Sequence, residues 1–242
     1  PDGALRTIPL AALHDGERFL IERYALATTP GLMLLDPKPF AGKTYSVLAG
    51  GLSESVQGFA ALPSVDRELG ALRQLLSATV LKNSAFTLDR VGQELSEGGY
   101  SVVHFATHGQ FGSSYDDSFL LTYDDKLLIN DLGRSIGSRM AGGETLELLV
   151  LSACETAAGD DRAALGLAGV ALKSGARSAL ATLWEVDDRA TLDIVQEFYA
   201  QLATGTVSKA RSLQRAQMKL IADGTNGHPG KWAPFLLIGN WL

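Results

Sequence analysis

A single cysteine, Cys154, in 242 residues excludes an internal disulfide, and with it the stapled architecture of small secreted domains. No Cys/His cluster has zinc spacing, and one thiol cannot build a structural zinc centre of several thiolates. No metal or other cofactor is expected. Basic residues are in deficit: 21 Lys and Arg stand against 27 Asp and Glu, a net charge of −6, with a pI of about 5.2. That balance argues against a nucleic-acid surface and favours basic partners or substrates. No apolar run approaches the ~20 residues of a membrane span, so no membrane is expected among the partners. The first residues, PDGALRTIPL, lack the basic and apolar regions of a secretory signal and a starting Met. The chain is therefore expected to be a piece of a longer protein. A lone free thiol suits a reducing compartment, and the cytoplasm is the expected location.

What is present is an ordinary globular mix, 46% hydrophobic and 20% charged, enough for a sizeable core. Apolar runs at 45–50, 101–109, 146–154, 176–184 and 234–241 read as buried strands. Residues 17–25, 32–35 and 78–81 read as shorter ones. Residues 119–122 and 127–129 read as a hairpin around YDDK. Helical spacing marks 64–76, with Ser64 as N-cap, and 87–95, ended by Gly98 and Gly99. It also marks 165–174, 187–202 and 207–221. Loops are expected at 112–117, 138–144, 159–162 and 223–231. Continuous apolar strands alternating with helices imply an α/β fold: a mostly parallel central sheet with helices on both faces.

Two motifs fail. AGKT at 41–44 resembles the end of a phosphate loop, but Pro37 stands where the first glycine belongs, and a strand follows where a helix is needed. GLAGVALKSG is glycine-rich, yet Gly166 and Gly169 serve close helix–sheet packing equally well. His14 and His228 fall in polar loops and suggest nothing.

In open parallel sheets, function gathers at the carboxyl ends of strands. One such end presents His108-Gly109 after SVVHFA, and another presents Cys154 after LELLVLS. If those strands are neighbours, imidazole and thiol can meet. An unperturbed thiol has a pKa near 8.5 and is mostly protonated at neutral pH, so a nucleophilic cysteine needs such a partner. The backbone N–H groups of Gly109 and Cys154 could form an oxyanion hole. The alternative is plain: a lone cysteine after a strand is often an inert, buried filler. His104, inside its strand, reads as a satisfied core histidine.

The segments LAGGLSES, FAALPSVDREL, VVHFATHGQF, DSFLLT, LELLVLSACETAAG, LGLAGVALKSGARSALATLWEVDDRAT and WAPFLLIGNW span nearly the whole chain. Together they resemble the CHAT domain, a caspase-like family related to separases and more distantly to caspases and gingipains. The resemblance implies a caspase-like three-layer sandwich, a single domain over 1–242 with residues 1–40 as an N-terminal strand extension. It implies a Cys–His dyad, carried here by Cys154 and His108, and cleavage of protein or peptide substrates. It also implies an upstream tetratricopeptide-repeat region. A catalytically silent interaction scaffold, or an acyltransferase using the same dyad, are the competing readings.

LWEVDDRAT places Glu185, Asp187 and Asp188 at another strand end. Asp187 reads equally as the cap of the following helix, and Asp188 as a macrodipole partner. The stretch also resembles the LW-x-V-x-D of separases, which cut after arginine. On that resemblance Asp188, then Asp187, would hold a basic substrate side chain. Trp184 could wall the pocket or fill core. Glu155 could face the substrate or cap its loop. Asp116 and Asp117 are read as solvated.

Overall fold

The structure, a computed structural model, describes residues 8–29, 37–39, 45–110, 118–141, 145–152, 169, 172, 175–184, 186–224 and 227–242. After a 3-10 turn at Leu10–Ala12, the elements are α1 (Leu20–Arg23), β1 (Ser46–Gly51), α2 (Val65–Leu75), β2 (Ser77–Lys82), α3 (Leu88–Glu97) and β3 (Val102–Ala106). Next come β4 (Gly109–Gln110), β5 (Phe119–Leu121), β6 (Lys126–Leu128), α4 (Ile129–Ala141), β7 (Leu148–Leu151) and β8 (Ser178–Thr182). The chain closes with α5 (Asp188–Ala203), α6 (Lys209–Ala222), α7 (Pro229–Trp232) and β9 (Phe235–Gly239).

The described residues form a six-stranded sheet ordered β2-β1-β3-β7-β8-β9. The pairs from β2 to β8 are all parallel, and β9 joins antiparallel. Thr28 extends the sheet beyond β9: its N–H donates to Leu237 O and its carbonyl accepts from Gly239 N, each at 2.8 Å. A small antiparallel sheet, β4-β5-β6, follows β3.

Strand alternation sorts the core into two faces. Val47, Ala49, Val102 and Ala106 share one buried cluster with residues of α2, α5, α6 and α7. Leu48, Val103, Phe105, Leu149 and Leu151 share the other with α3, α4 and the β5–β6 hairpin. That is the expected sheet with cover on both faces. Gly50 shows how tight the second face is: a Cβ there would collide with the Phe86 ring.

Several expected elements come out differently. Residues 17–25 hold a helical turn, not a strand. Glu22 Oε2 accepts the Phe19 N–H at 2.7 Å, and Gln214 of α6 donates to Ile21 O at 2.6 Å. Ile21 is thereby buried by one turn of helix, which the same apolar spacing permits. Residues 32–35 and most of 165–174 lie outside the described residues. The 138–144 loop begins inside α4. Ile129, Leu132 and Ile136 are all buried, at helical spacing that Gly133 and Gly137 disguise. The 223–231 loop contains the start of α7, where the His228 ring accepts the Gly230 N–H.

Candidate active site

The carboxyl ends of β1, β3, β7 and β8 line one edge of the sheet, because these strands are parallel neighbours. β3 and β7 are adjacent, with Phe105 opposite Leu151, and Ser152 N–H extends the ladder to Phe105 O at 3.1 Å. The adjacency that a His108–Cys154 pair requires is therefore present. Cys154 and Glu155, with Asp116, Asp117 and Glu185, lie outside the described residues.

His108 follows β3 and is 9% exposed. The backbone around it is pinned: Thr107 Oγ1 donates to Leu121 O at 2.7 Å, and His108 O accepts from Leu121 N at 2.8 Å. Its Nε2 lies 2.7 Å from Ala60 O. A carbonyl only accepts, so Nε2 carries the hydrogen and Nδ1 is left as the proton acceptor. The Phe59 ring lies against the imidazole, centroids 5.1 Å apart, and is itself edge-on to Phe119 at 6.5 Å. Gly109 opens β4, buried and opposite Leu120.

At the end of β8 the two aspartates have separate roles. Asp187 is the N-cap of α5, its side chain accepting the Ala190 N–H at 2.9 Å. Asp188 reaches across to α2: its Oδ2 accepts the Ser64 N–H at 2.9 Å. Ser64 occupies the N-cap position of α2, but with helical backbone angles and no capping bond from its side chain. The cap expected of its hydroxyl is replaced by this bond from its backbone to a distant carboxylate. The Trp184 indole N–H donates to Gly230 O at 3.1 Å, tying that ring to α7.

One segment thus touches both candidate residues: Ala60 holds His108, and Ser64 holds Asp188. Four residues of extended chain cover at most about 14 Å between their Cα atoms. The chain leading into this segment is anchored too. Asn83 Oδ1 accepts the Ser53 N–H at 2.8 Å, and Asn83 Nδ2 donates to Glu54 Oε1 at 2.7 Å. Gln57 Nε2 donates to Thr122 O at 3.0 Å, from a left-handed backbone at φ 50°. Ala60 carried no signal in the sequence, since its contribution is a backbone carbonyl. Among the described residues no group of three or more His, Cys, Asp or Glu is arranged to hold a metal ion, and no helix is long and apolar enough to cross a membrane.

The family model described as the CHAT domain matches residues 1–240. The chain belongs to the CHAT domain family. Tetratricopeptide repeat protein 28 of Homo sapiens is 24% identical over 298 residues; the match takes in 99% of this chain but 12% of that protein. Among solved structures, the Arg specific cysteine proteinase gingipain R (RGPB) aligns with a TM-score of 0.53 and 9% identity, over 81% of this chain and 46% of that one. The complex of Porphyromonas gingivalis RgpB pro- and mature domains aligns with a TM-score of 0.51 and 9% identity, over 81% and 47%. This CHAT domain therefore has the caspase-like α/β fold of the gingipains.

Proposed function

We propose that this CHAT domain is a cysteine endopeptidase that cuts chosen protein substrates after Arg or Lys. The observation that carries the reading is the shared segment at 60–64, which contacts both His108 and Asp188. A single extended peptide lying along the sheet edge can then meet a proton-transfer group and a carboxylate within a few residues.

In the proposed reaction, His108 Nδ1 takes the proton from the Cys154 thiol. Sγ attacks the scissile carbonyl carbon while the N–H groups of Gly109 and Cys154 receive the developing oxyanion. The imidazolium returns its proton to the leaving amine nitrogen as the C–N bond breaks, leaving a thioester. Water, losing a proton to the same imidazole, hydrolyses the thioester and restores the thiol. The Ala60 carbonyl supports this by fixing the tautomer and stabilising the imidazolium.

Asp188 is the proposed partner of the substrate's guanidinium or ammonium group. Its Oδ2 is anchored on a backbone amide, and the carboxylate keeps further lone pairs for a charged donor. Asp187, Glu155 and Trp184 are proposed as lesser contributors to that pocket. The gingipain neighbour is an Arg specific cysteine proteinase, which favours the same preference. We further propose one domain over 1–242 that works in the reducing cytoplasm, downstream of a tetratricopeptide-repeat region like the one the human relative is named for.

The test is to incubate the protein with a proteome-derived peptide library and sequence the new termini by mass spectrometry, with Cys154→Ala as control. Cuts after Arg and Lys that vanish in the variant are the expected result. Cuts after other residues would sink the Asp188 assignment and keep the dyad. No cuts, with a Cys154 thiol that reacts with iodoacetamide only after unfolding, would favour the silent scaffold.

A further inference from the structure

On the first sheet face, His104 lies between the buried apolar Val102 and Ala106 of its own strand. Its Nδ1 lies 3.1 Å from Tyr199 Oη of α5, and its Nε2 lies 2.8 Å from Glu68 Oε1 of α2. All three side chains are buried, at 0%, 0% and 2% exposure for His104, Tyr199 and Glu68. The His104–Glu68 contact has ion-pair distance without hydrogen-bond alignment. Burial, and then the nearby Glu68 charge, hold the Tyr199 phenol well above its ordinary pKa, so Tyr199 keeps its proton and can donate to Nδ1.

Such a cluster is a poor means of gaining stability. Apolar residues of similar shape in place of a buried charged group are often neutral or stabilising, whereas a polar cluster can fix which surfaces meet. Here it joins α2, β3 and α5. The same two helices are joined a second time at their N-termini, where Ser64 N–H meets Asp188. Glu68 sits one turn after Ser64 and its N–H donates to Ser64 O at 2.9 Å. The rotation of α2 about its axis therefore sets both contacts at once.

We propose that Glu68, His104 and Tyr199 are positioning residues that hold α2 against α5 so that the Ser64 amide orients the Asp188 carboxylate for a basic substrate side chain. The geometric half of this stands on the contacts above; the substrate half rests on the reading under Proposed function.

The experiment measures amide hydrogen exchange at Ser64 in the folded protein, with Asp188→Ala as the reference for a broken contact. The test variants are Tyr199→Phe, Glu68→Gln and an apolar triple, Glu68→Leu with His104→Leu and Tyr199→Phe. The triple is expected to stay folded while Ser64 exchanges about tenfold faster, the effect of losing one hydrogen bond to a charged group. Tyr199→Phe removes one oxygen, folds readily, and is expected to move Ser64 in the same direction. Unchanged Ser64 exchange in the folded variants overturns the proposal. Peptides with Arg at the cleaved position then separate the two halves. A raised KM with unchanged kcat is expected. If the wild-type protein has no preference for basic residues while Ser64 still responds, the specificity reading fails and the positioning of Asp188 by the cluster stands.

Discussion

His104 and His108 leave the same strand four residues apart and meet opposite surroundings. His104 lies inside β3, with no exposure, between Glu68 and Tyr199 from two helices. His108 lies past the strand end, against one backbone carbonyl and one aromatic ring. The difference shows how a sheet divides labour. In the middle of a strand, a side chain is enclosed by the covering layers and can only hold them together. Past the carboxyl end, the same imidazole is instead oriented by residues of a connecting segment, the Ala60 carbonyl and the Phe59 ring.

The sharpest way to test this contrast is activity. His108→Ala is expected to lower peptide cleavage by about 10²–10⁴-fold, the usual contribution of a general acid–base group. It also loses the bond to Ala60 O and the Phe59 contact, a cost of about 1–2 kcal/mol, so the rate is read well below its melting temperature, where the protein stays folded. A wild-type rate in this variant would erase the distinction.

His104→Ala is the mirror experiment. It leaves the Glu68 carboxylate buried without its partner, at a cost of about 3–5 kcal/mol, read by urea denaturation. A loss below about 1 kcal/mol would mean that the interior histidine is not structurally enclosed as described.

A smaller effect is expected from Phe59→Ala, which removes the ring beside His108 and its edge contact with Phe119. Phe59 is only partly buried, so about 1–2 kcal/mol of stability should go. The kcat should fall with it as the imidazole gains freedom. An unaltered kcat would show that the Ala60 carbonyl alone orients the ring.

The smallest effect marks the floor, at a half-exposed pair joining α2 to the end of β2. Lys82 Nζ lies 3.0 Å from Asp66 Oδ1. The Lys82 hydrogen bond, then that of Ser53, holds the Asp66 carboxyl below its ordinary pKa of 3.8. A depressed carboxyl pKa adds stability above its ordinary value, and that stability is lost as pH falls through the lowered folded-state value. Lys82→Ala should therefore cost less than about 1 kcal/mol at neutral pH. The difference from wild type should disappear in acid.

Much of the frame was legible in the chain. Buried central strands read as mostly apolar runs: 46–51, 102–106, 148–151 and 178–182 in the parallel part of the sheet, and 235–239 in its antiparallel partner. The Asp187 cap was readable because capping depends on a neighbour three residues away, whereas Ser64, read as a cap in the same way, uses its backbone N–H instead. Helix α4 was hidden by its glycines. The helical turn at 20–23 was hidden because four residues fit strand and helix patterns equally. Residue types and strand ends picked out His108 and Asp188, but Ala60 and the amide of Ser64 left no trace, since a backbone group has no letter of its own.

What the sequence determined by itself was local and periodic: the order of the central strands, the alternation that turns His104 inward, and membership of the CHAT family through motifs spread along the chain. What only the tertiary structure decided was which distant groups meet. Ser64 and Asp188 are 124 residues apart, and His104 and Tyr199 are 95 apart. Their contacts follow from the packing of α2 and α5 on one face of the sheet. Such contacts depend on the position of whole helices, a property of the packed core rather than of any short stretch of chain.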